Sequence, residues 1–517
     1  MPNFALKKVM QVQKITITLL TMLLCTAFSH SVSNQNFSES ADELYRYAME
    51  KLGAVPGLSI VVVKGEETVY TGSFGYANLE KKIPVTPETN FYIASSTKSF
   101  MGLAAAQLDR EGVISLDAGL ASFFPDTKFA PELKADQIKV RDLLTHTSGL
   151  DNSPISFRAA YSGDHTFTKL VELLERSQPN KAGYGNYQYS NVGYNIYALI
   201  VEKVTGQKWQ DVLAEKIFRP LGMERTTAYM SKAEKNDWTV ALPYAGLGPD
   251  RIEPVYLTKK DNTMQSAGGL ITTAADAATW LKMQIGNGRL NGKQVFPVDM
   301  IRTARSVMAP HDDARPPFEA KGYGLGWHSG LYQGENVTWH FGGFPGAYTH
   351  ISYLPEREIG VAVFVNDAVA GYPLMMLAAE FAYEWHVNPS EKILSEYKKR
   401  IDKLAKETAR SVKQSLKHEQ ERAERTWQLS EPFADYAGVY RNDAYGTVKI
   451  EHQGGEQLRV SMGNMHCLGT PYTEENTMRV ELVPRSGMVL QFVVENGLVK
   501  AFNFSGDVFT RVSEKSD

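Results

Sequence analysis

The stretch FYIASSTKSF, residues 91–100, sets a serine three positions before a lysine. An aromatic and apolar lead-in precedes Ser95, and an apolar run from Phe100 to Ala106 follows Lys98. Residues three apart on a helix share a face, so Ser95 at a helix start would hold its hydroxyl beside the Lys98 amine. A free hydroxyl is a weak nucleophile and needs a base. A neutral lysine can serve, and a charged one can lower a neighbour's pKa. Backbone N–H groups at a helix start can also stabilise a developing oxyanion. The spacing arises by chance in most chains of this length, so the pair needs company before it carries a function.

Two other stretches supply it. Tyr189-Ser190-Asn191 lies in YQYSNVGY, residues 187–194. A phenol near pKa ~10 is a poor base at neutral pH unless a neighbouring ammonium tunes it, and Asn191 offers both a donor and an acceptor to a substrate amide. Tyr184-Gly185-Asn186 and Tyr440-Arg441-Asn442 share the tripeptide form, and spacing alone does not choose among them. The third stretch is HFGGFPG, residues 340–346. Glycines directly after a strand let backbone approach a ligand closely, and an N–H from Gly343 would complete an oxyanion hole with that of Ser95. A lone histidine such as His340 is more often structural than catalytic.

Around these stretches the chain alternates in character. Gly57 to Val63 and Thr68 to Thr71, joined across Gly65, read as a hairpin. From Phe91 to about Phe218 the pattern is mostly helical. Strands return at Thr338–His340, Ile351–Tyr353 and Ile359–Val365, so one sheet is expected from both ends of the domain, covered by helices. Residues 391–426 carry a narrow apolar stripe (Ile393, Tyr397, Ile401, Leu404, Val412, Leu416) on a charged helix, as in a linker packed on a neighbour. Beyond Trp427 short runs separated by Gly and Asn turns suggest a small barrel or sandwich.

The three stretches together resemble the serine β-lactamases and penicillin-recognising peptidases, specifically the class C-like branch. Their order is that of S-x-x-K, S-D-N and K-T-G, here Ser95-Ser96-Thr97-Lys98, Tyr189-Ser190-Asn191 and His340-Phe341-Gly342. Further matches are LTHTSGL (144–150), AGGL (267–270) and YGLGW (323–327). The resemblance spans about residues 40–385. It selects Tyr189 over Tyr184, because the family form continues Ser-Asn-x-Gly-Tyr. The last stretch, with YAGVY (436–440), looks like the lipocalin-like β-domain appended to some of these hydrolases.

The resemblance implies an α+β fold, an antiparallel sheet covered by helices, followed by a small all-β barrel. It implies a secreted or periplasmic bacterial serine hydrolase with an acyl-enzyme on Ser95. Lys98 and Tyr189 would share the proton handling, and Asn191 would orient the substrate. Gly342 and Gly343 would line the oxyanion side, and His340 would polarise Tyr189 or contact the leaving group. A peptidase or amidase is expected first; an esterase, a class C-type β-lactamase and a non-catalytic penicillin- or ligand-binding protein are the alternatives. The third motif departs from the family: Phe341 has no hydroxyl and His340 is mostly neutral at pH 7, which weakens recognition of a substrate carboxylate.

The remaining features bound the answer. Of 517 residues, 43% are hydrophobic and 22% charged, with net charge −3. That is ordinary globular composition with no footprint for nucleic acid. Lys7, Lys8 and Lys14 precede an uncharged run from Ile15 to Phe28 and a small-residue exit, the form of a signal peptide over residues 1–30. The run is shorter than a spanning helix needs; a lipid-anchored Cys25 is the weaker alternative. Cys467 would then stand alone, as a buried small hydrophobe, without a disulfide. The histidines lack metal-ligand spacing and no nucleotide loop stands out, so neither metal nor cofactor is expected. The expected organisation is the signal peptide, a hydrolase-like domain over 38–388, a helical linker over 389–427 and a β-domain over 428–515. A small peptide, amide or ester is the expected partner, and a homo-oligomer through the linker helix or the β-domain is compatible with this layout.

Overall fold

The computed structural model describes residues 37–313 and 315–512. The expected signal peptide and Cys25 lie outside the described residues. Among the described residues no helix is long and apolar enough to cross a membrane.

The chain opens with helix α1 (37–52) and the hairpin β1 (Gly57–Lys64) and β2 (Glu67–Asn78). The partner strands arrive about 250 residues later: β3 (Phe318–Tyr323), β4 (His328–Tyr332), β5 (Glu335–Phe344), β6 (Ala347–Leu354) and β7 (Ile359–Val365). In the sheet they run β3-β4-β5-β6-β7-β1-β2, with short edge strands Ala309–Pro310 and Ile83–Pro84 completing nine. Every pairing is antiparallel, with Val61 opposite Ala362 at the centre. The sheet is therefore built from both ends of this part of the chain.

β1 reads GLSIVVVK and is buried along nearly its whole length. Its side chains alternate between faces, and both faces are covered. Val61 and Val63 join a cluster with Trp280 and Leu281. Leu58, Ile60 and Val62 join another with Leu44, Tyr45 and Phe381. An uninterrupted apolar strand is the consequence of two-sided burial. The first cluster continues into the helical middle, where α2 (Thr97–Arg110) and α3 (Val192–Thr205) pack behind the site.

The charged stretch forms one helix, Ile393–Ala423, whose Ile393, Tyr397 and Ile401 are buried against the α1 side of the sheet. Beyond it, a second nine-stranded antiparallel sheet runs from Gly438–Asn442 to Asp507–Val512. Its strands Met465–Leu468 and Thr477–Val483 approach each other, so the sheet nearly closes into a barrel around Tyr440, Val460, Phe492, Phe502 and Phe509. Cys467 is half-buried on a strand there rather than enclosed, and burial pushes its thiol up to about 11.

Candidate active site

Ser95 occupies a single 3-10 turn, Ala94–Ser96, directly before α2. Ala94 holds φ +43, a left-handed conformation uncommon for a residue with a side chain. Strain of this kind persists where the surroundings over-determine it, and it clusters at functional sites. The surroundings here are β5. Ser96 Oγ donates to His340 O at 3.1 Å. A Cβ at Gly342 would lie 2.0 Å from Ile93 O, so only glycine lets the strand lie against the turn. Gly342 and Gly343 stand inside β5, which runs on to Phe344, rather than after a strand as the sequence suggested.

Lys98, one turn into α2, is fully buried. Its amine lies 3.1 Å from Ser95 Oγ, 2.8 Å from Asn191 Oδ1 and 2.7 Å from Ala267 O. Asn191 immediately precedes α3, so the starts of two helices converge on one nitrogen. Burial holds the Lys98 amine well below its ordinary range. The same amine sits 4.9 Å from the centre of the Tyr189 ring. Tyr189 is 38% exposed as a residue. Burial raises that phenol above its usual range, and a polar contact with Ser95 acts in the opposite sense.

His340 differs from the expectation. Its ring centre is 6.3 Å from that of Tyr189 with no hydrogen bond between them. Instead Nδ1 lies 2.7 Å from Phe341 O and Nε2 3.0 Å from the Tyr323 hydroxyl. A carbonyl only accepts, so the proton sits on Nδ1 and Tyr323 donates to Nε2. His340 cannot polarise Tyr189 in this arrangement; Tyr323 reaches it from β3, a pairing with no register signal in the sequence. Burial, then the nearby Lys98, holds His340 well below its usual range, so it is neutral.

Histidines far apart in the sequence also converge. His311 Nε2 is 3.2 Å from His328 Nδ1, His328 stacks on Trp339, and His146 packs against Tyr189. His350 does not join them; it bonds Ser352 beneath the sheet. Tyr323 and His146 belong to stretches noted for their resemblance (YGLGW, LTHTSGL), which was the one available signal for them.

Two cavities flank Ser95 and Gly343. The larger, about 310 Å³, has walls of Tyr187, Tyr189, Trp339, Phe341, Tyr348 and Tyr372, with Asp313 and Arg315 as its charged residues. The smaller, about 50 Å³, is bounded by Ala160, Tyr161, Asn191, Met264 and Phe344.

Comparison with known proteins bears on this arrangement directly. Residues 45–379 match the family model described as Beta-lactamase. The chain belongs to the beta-lactamase family. This segment carries the β-lactamase-type serine hydrolase fold. An unguisins hydrolase of Aspergillus campestris is 29% identical over 322 residues, covering 60% of this chain and 58% of that protein. The chain thus spans less than two thirds of that relative's length. Among solved structures, the octameric penicillin-binding protein homologue of Pyrococcus abyssi is 25% identical with TM-score 0.57, over 91% of this chain and 99% of that one. The D-amino acid amidase of Ochrobactrum anthropi is 25% identical with TM-score 0.52, over 64% and 92%. The first of these structural likenesses takes in more of the chain than the matched family segment does.

Proposed function

We propose that this protein is a serine hydrolase that forms an acyl-enzyme on Ser95, acting on amides or short peptides. One observation carries the proposal: the Lys98 amine faces Ser95 Oγ while its two shorter bonds go to Ala267 O and Asn191 Oδ1. A neutral amine has two N–H groups and one lone pair. Two acceptors consume both hydrogens, leaving the lone pair for the Ser95 hydroxyl. Lys98 is therefore the general base, and the depression of its pKa by burial favours that neutral form.

Tyr189 has the complementary task. Its phenol is raised, so it stays protonated at neutral pH and donates rather than accepts. As Ser95 Oγ attacks the carbonyl carbon, its proton passes to Lys98. Tyr189 gives its own proton to the departing nitrogen or oxygen and recovers one from Lys98. The backbone N–H groups of Ser95 and Gly343 face the oxyanion. Water then attacks the acyl carbon, its proton passing through Tyr189 to Lys98, and the ester bond to Ser95 breaks as Oγ takes a proton back from Lys98. The His340–Tyr323 hydrogen bond ties β3 to β5 beside this relay.

The cleft favours a neutral, bulky substrate. Its walls are mainly aromatic, and Asp313 offsets Arg315 at its charged end. The third motif provides Phe341 and a neutral histidine where carboxylate-binding relatives carry a lysine and a hydroxyl. The name of the amidase points to amide chemistry in a similar protein. Parallel assays of D- and L-phenylalanine anilides, a short-chain p-nitrophenyl ester and a chromogenic cephalosporin test the substrate class. Amide and ester turnover above that of the cephalosporin is expected; cephalosporin hydrolysis as the dominant activity overturns it.

The basic and apolar N-terminus supports a further proposal, export of the protein, and sequencing the N-terminus of the mature protein checks it. The octameric state named for the Pyrococcus homologue supports self-association, readable by light scattering.

A further inference from the structure

His146 has no part in the relay, yet it is 3% exposed and adopts φ +63. A left-handed histidine is uncommon, and the cost calls for a reason. In this conformation His146 meets the neighbouring segment twice. Its carbonyl accepts from Gln188 N at 2.9 Å, and its Nδ1 accepts from Ser190 N at 3.2 Å. The residue between these two anchors is Tyr189. The imidazole closes the clamp from the side, with its ring centre 4.4 Å from that of Tyr189 and 4.6 Å from that of Tyr323.

The clamp answers a need. Residues 187–190 belong to no helix or strand, so no ladder of backbone bonds fixes them. Tyr189 is also partly exposed to solvent. A proton-relay hydroxyl must nevertheless stand within hydrogen-bond reach of both Ser95 and the departing atom. Because Nδ1 accepts, the proton of the neutral ring sits on Nε2. Burial, the largest cause, keeps the imidazole well below its usual range and therefore neutral. A neutral ring adds no positive charge beside Lys98.

We propose that His146 is the positioning residue for Tyr189: by gripping Gln188 and Ser190 it fixes the phenol where acyl-enzyme hydrolysis needs it. This rests on the acyl-enzyme reading above. Two variants separate the roles. His146→Gly accepts the backbone conformation without strain and keeps the carbonyl anchor, but removes the Nδ1 acceptor and the ring. His146→Asn tolerates the left-handed conformation and offers Oδ1 to Ser190 N.

The experiment combines fluorophosphonate labelling with stopped-flow hydrolysis of p-nitrophenyl acetate and a thermal melt. Fluoride and p-nitrophenolate leave without a proton, so acylation does not depend on Tyr189. In His146→Gly, labelling of Ser95 and the p-nitrophenol burst should persist at near wild-type rates. Steady-state turnover should fall about 10²-fold, the size of loss that a misplacement near 1 Å produces. In His146→Asn most of that loss should be recovered. Wild-type turnover in a folded His146→Gly overturns the inference, as does a folded His146→Asn slowed as far as His146→Gly. Should His146→Gly fail to melt cooperatively, His146→Asn alone decides: a retained burst with near wild-type turnover supports the clamp, and lost turnover overturns it. Absence of label on wild-type Ser95 is a different failure; it overturns the acyl-enzyme reading and the clamp with it.

Discussion

Lys98 forms no ion pair among the described residues, and its three hydrogen bonds go to one hydroxyl, one amide oxygen and one carbonyl. Its charge is disfavoured by burial alone. A base works in its deprotonated form, so kcat/KM for an ester should rise with pH as Lys98 loses its proton. Because the folded pKa is lowered, the plateau should come well below the ~10.4 of a free lysine. Lys98→Met should cut acylation by about 10²–10⁴-fold, the usual worth of general-base help, and should abolish that limb of the pH profile. Much of this constellation was legible in the sequence. Ser95 and Lys98 are one helical turn apart, and that relation survives any packing. The Tyr189 assignment needed the family pattern, because Tyr184 offers the same local form; in the fold Tyr184 bonds Asp142 on the surface instead. Ala267 O was invisible for a different reason. A backbone carbonyl carries no residue-type signal, so nothing in the sequence marks it as the second acceptor of Lys98.

At the scale of elements, the site exists because β5 lies against the turn that starts α2. The sequence pattern found the hairpin, the late strands and the charged helix, since each has a strong period of its own. It ended the third motif's strand too early, because glycines read locally as a strand end while here they continue β5 under Ser95. The consequence is testable. Gly342→Ala would place a methyl 2.0 Å from Ile93 O, and backbone on both sides leaves little room to give. Overpacking of this kind costs about 1–3 kcal/mol, and here it would also displace Ser95. A lowered melting temperature together with a larger loss in kcat than in KM is expected.

A second element-scale prediction concerns Lys259, buried on the segment before Gln265–Gly268. Its amine donates to Ala228 O at 2.7 Å and Lys260 O at 3.1 Å, which accounts for both hydrogens of a neutral amine. Burial lowers its pKa to about 7. Between that value and ~10.4 the unfolded chain binds a proton that the folded chain does not. Stability contributed by this group therefore rises with pH across that window, by up to ~1.4 kcal/mol per pH unit. Urea unfolding at pH 7, 8 and 9 should show a shallower rise in Lys259→Met than in the wild type.

For the whole molecule, the barrel is joined to the cleft. One apolar cluster runs from Tyr92, Met264 and Phe344 into the barrel core. The turn between Leu458–Met462 and Met465–Leu468 reaches the wall of the smaller cavity. Asn464 N donates to Ser162 O at 2.8 Å, and Asn464 Nδ2 to Asn262 Oδ1 at 3.2 Å. Gly463, at φ +55, has no room for a Cβ, which would lie 2.1 Å from Ser162 O. Gly463→Val should therefore shift the Ala160–Tyr161 wall from a distance, changing the ratio of kcat/KM for small and bulky acyl esters. The exposed pair Arg251–Glu419, between the long helix and the larger part, should matter far less; exposed ion pairs contribute about 0–1 kcal/mol. No local sequence signal announced the turn contact, since it joins residues about 200 to 300 apart whose types are ordinary for loops.

The central claim is that Ser95 is the atom acylated and Lys98 the group that makes it reactive. Mass-spectrometric mapping after fluorophosphonate treatment tests it most directly, in the wild type and in folded Lys98→Met. A single adduct on the peptide holding Ser95, formed rapidly in the wild type and about 10² or more times slower in Lys98→Met, is the predicted result. An adduct on any other residue, or labelling of Ser95 that proceeds unchanged without Lys98, would contradict it.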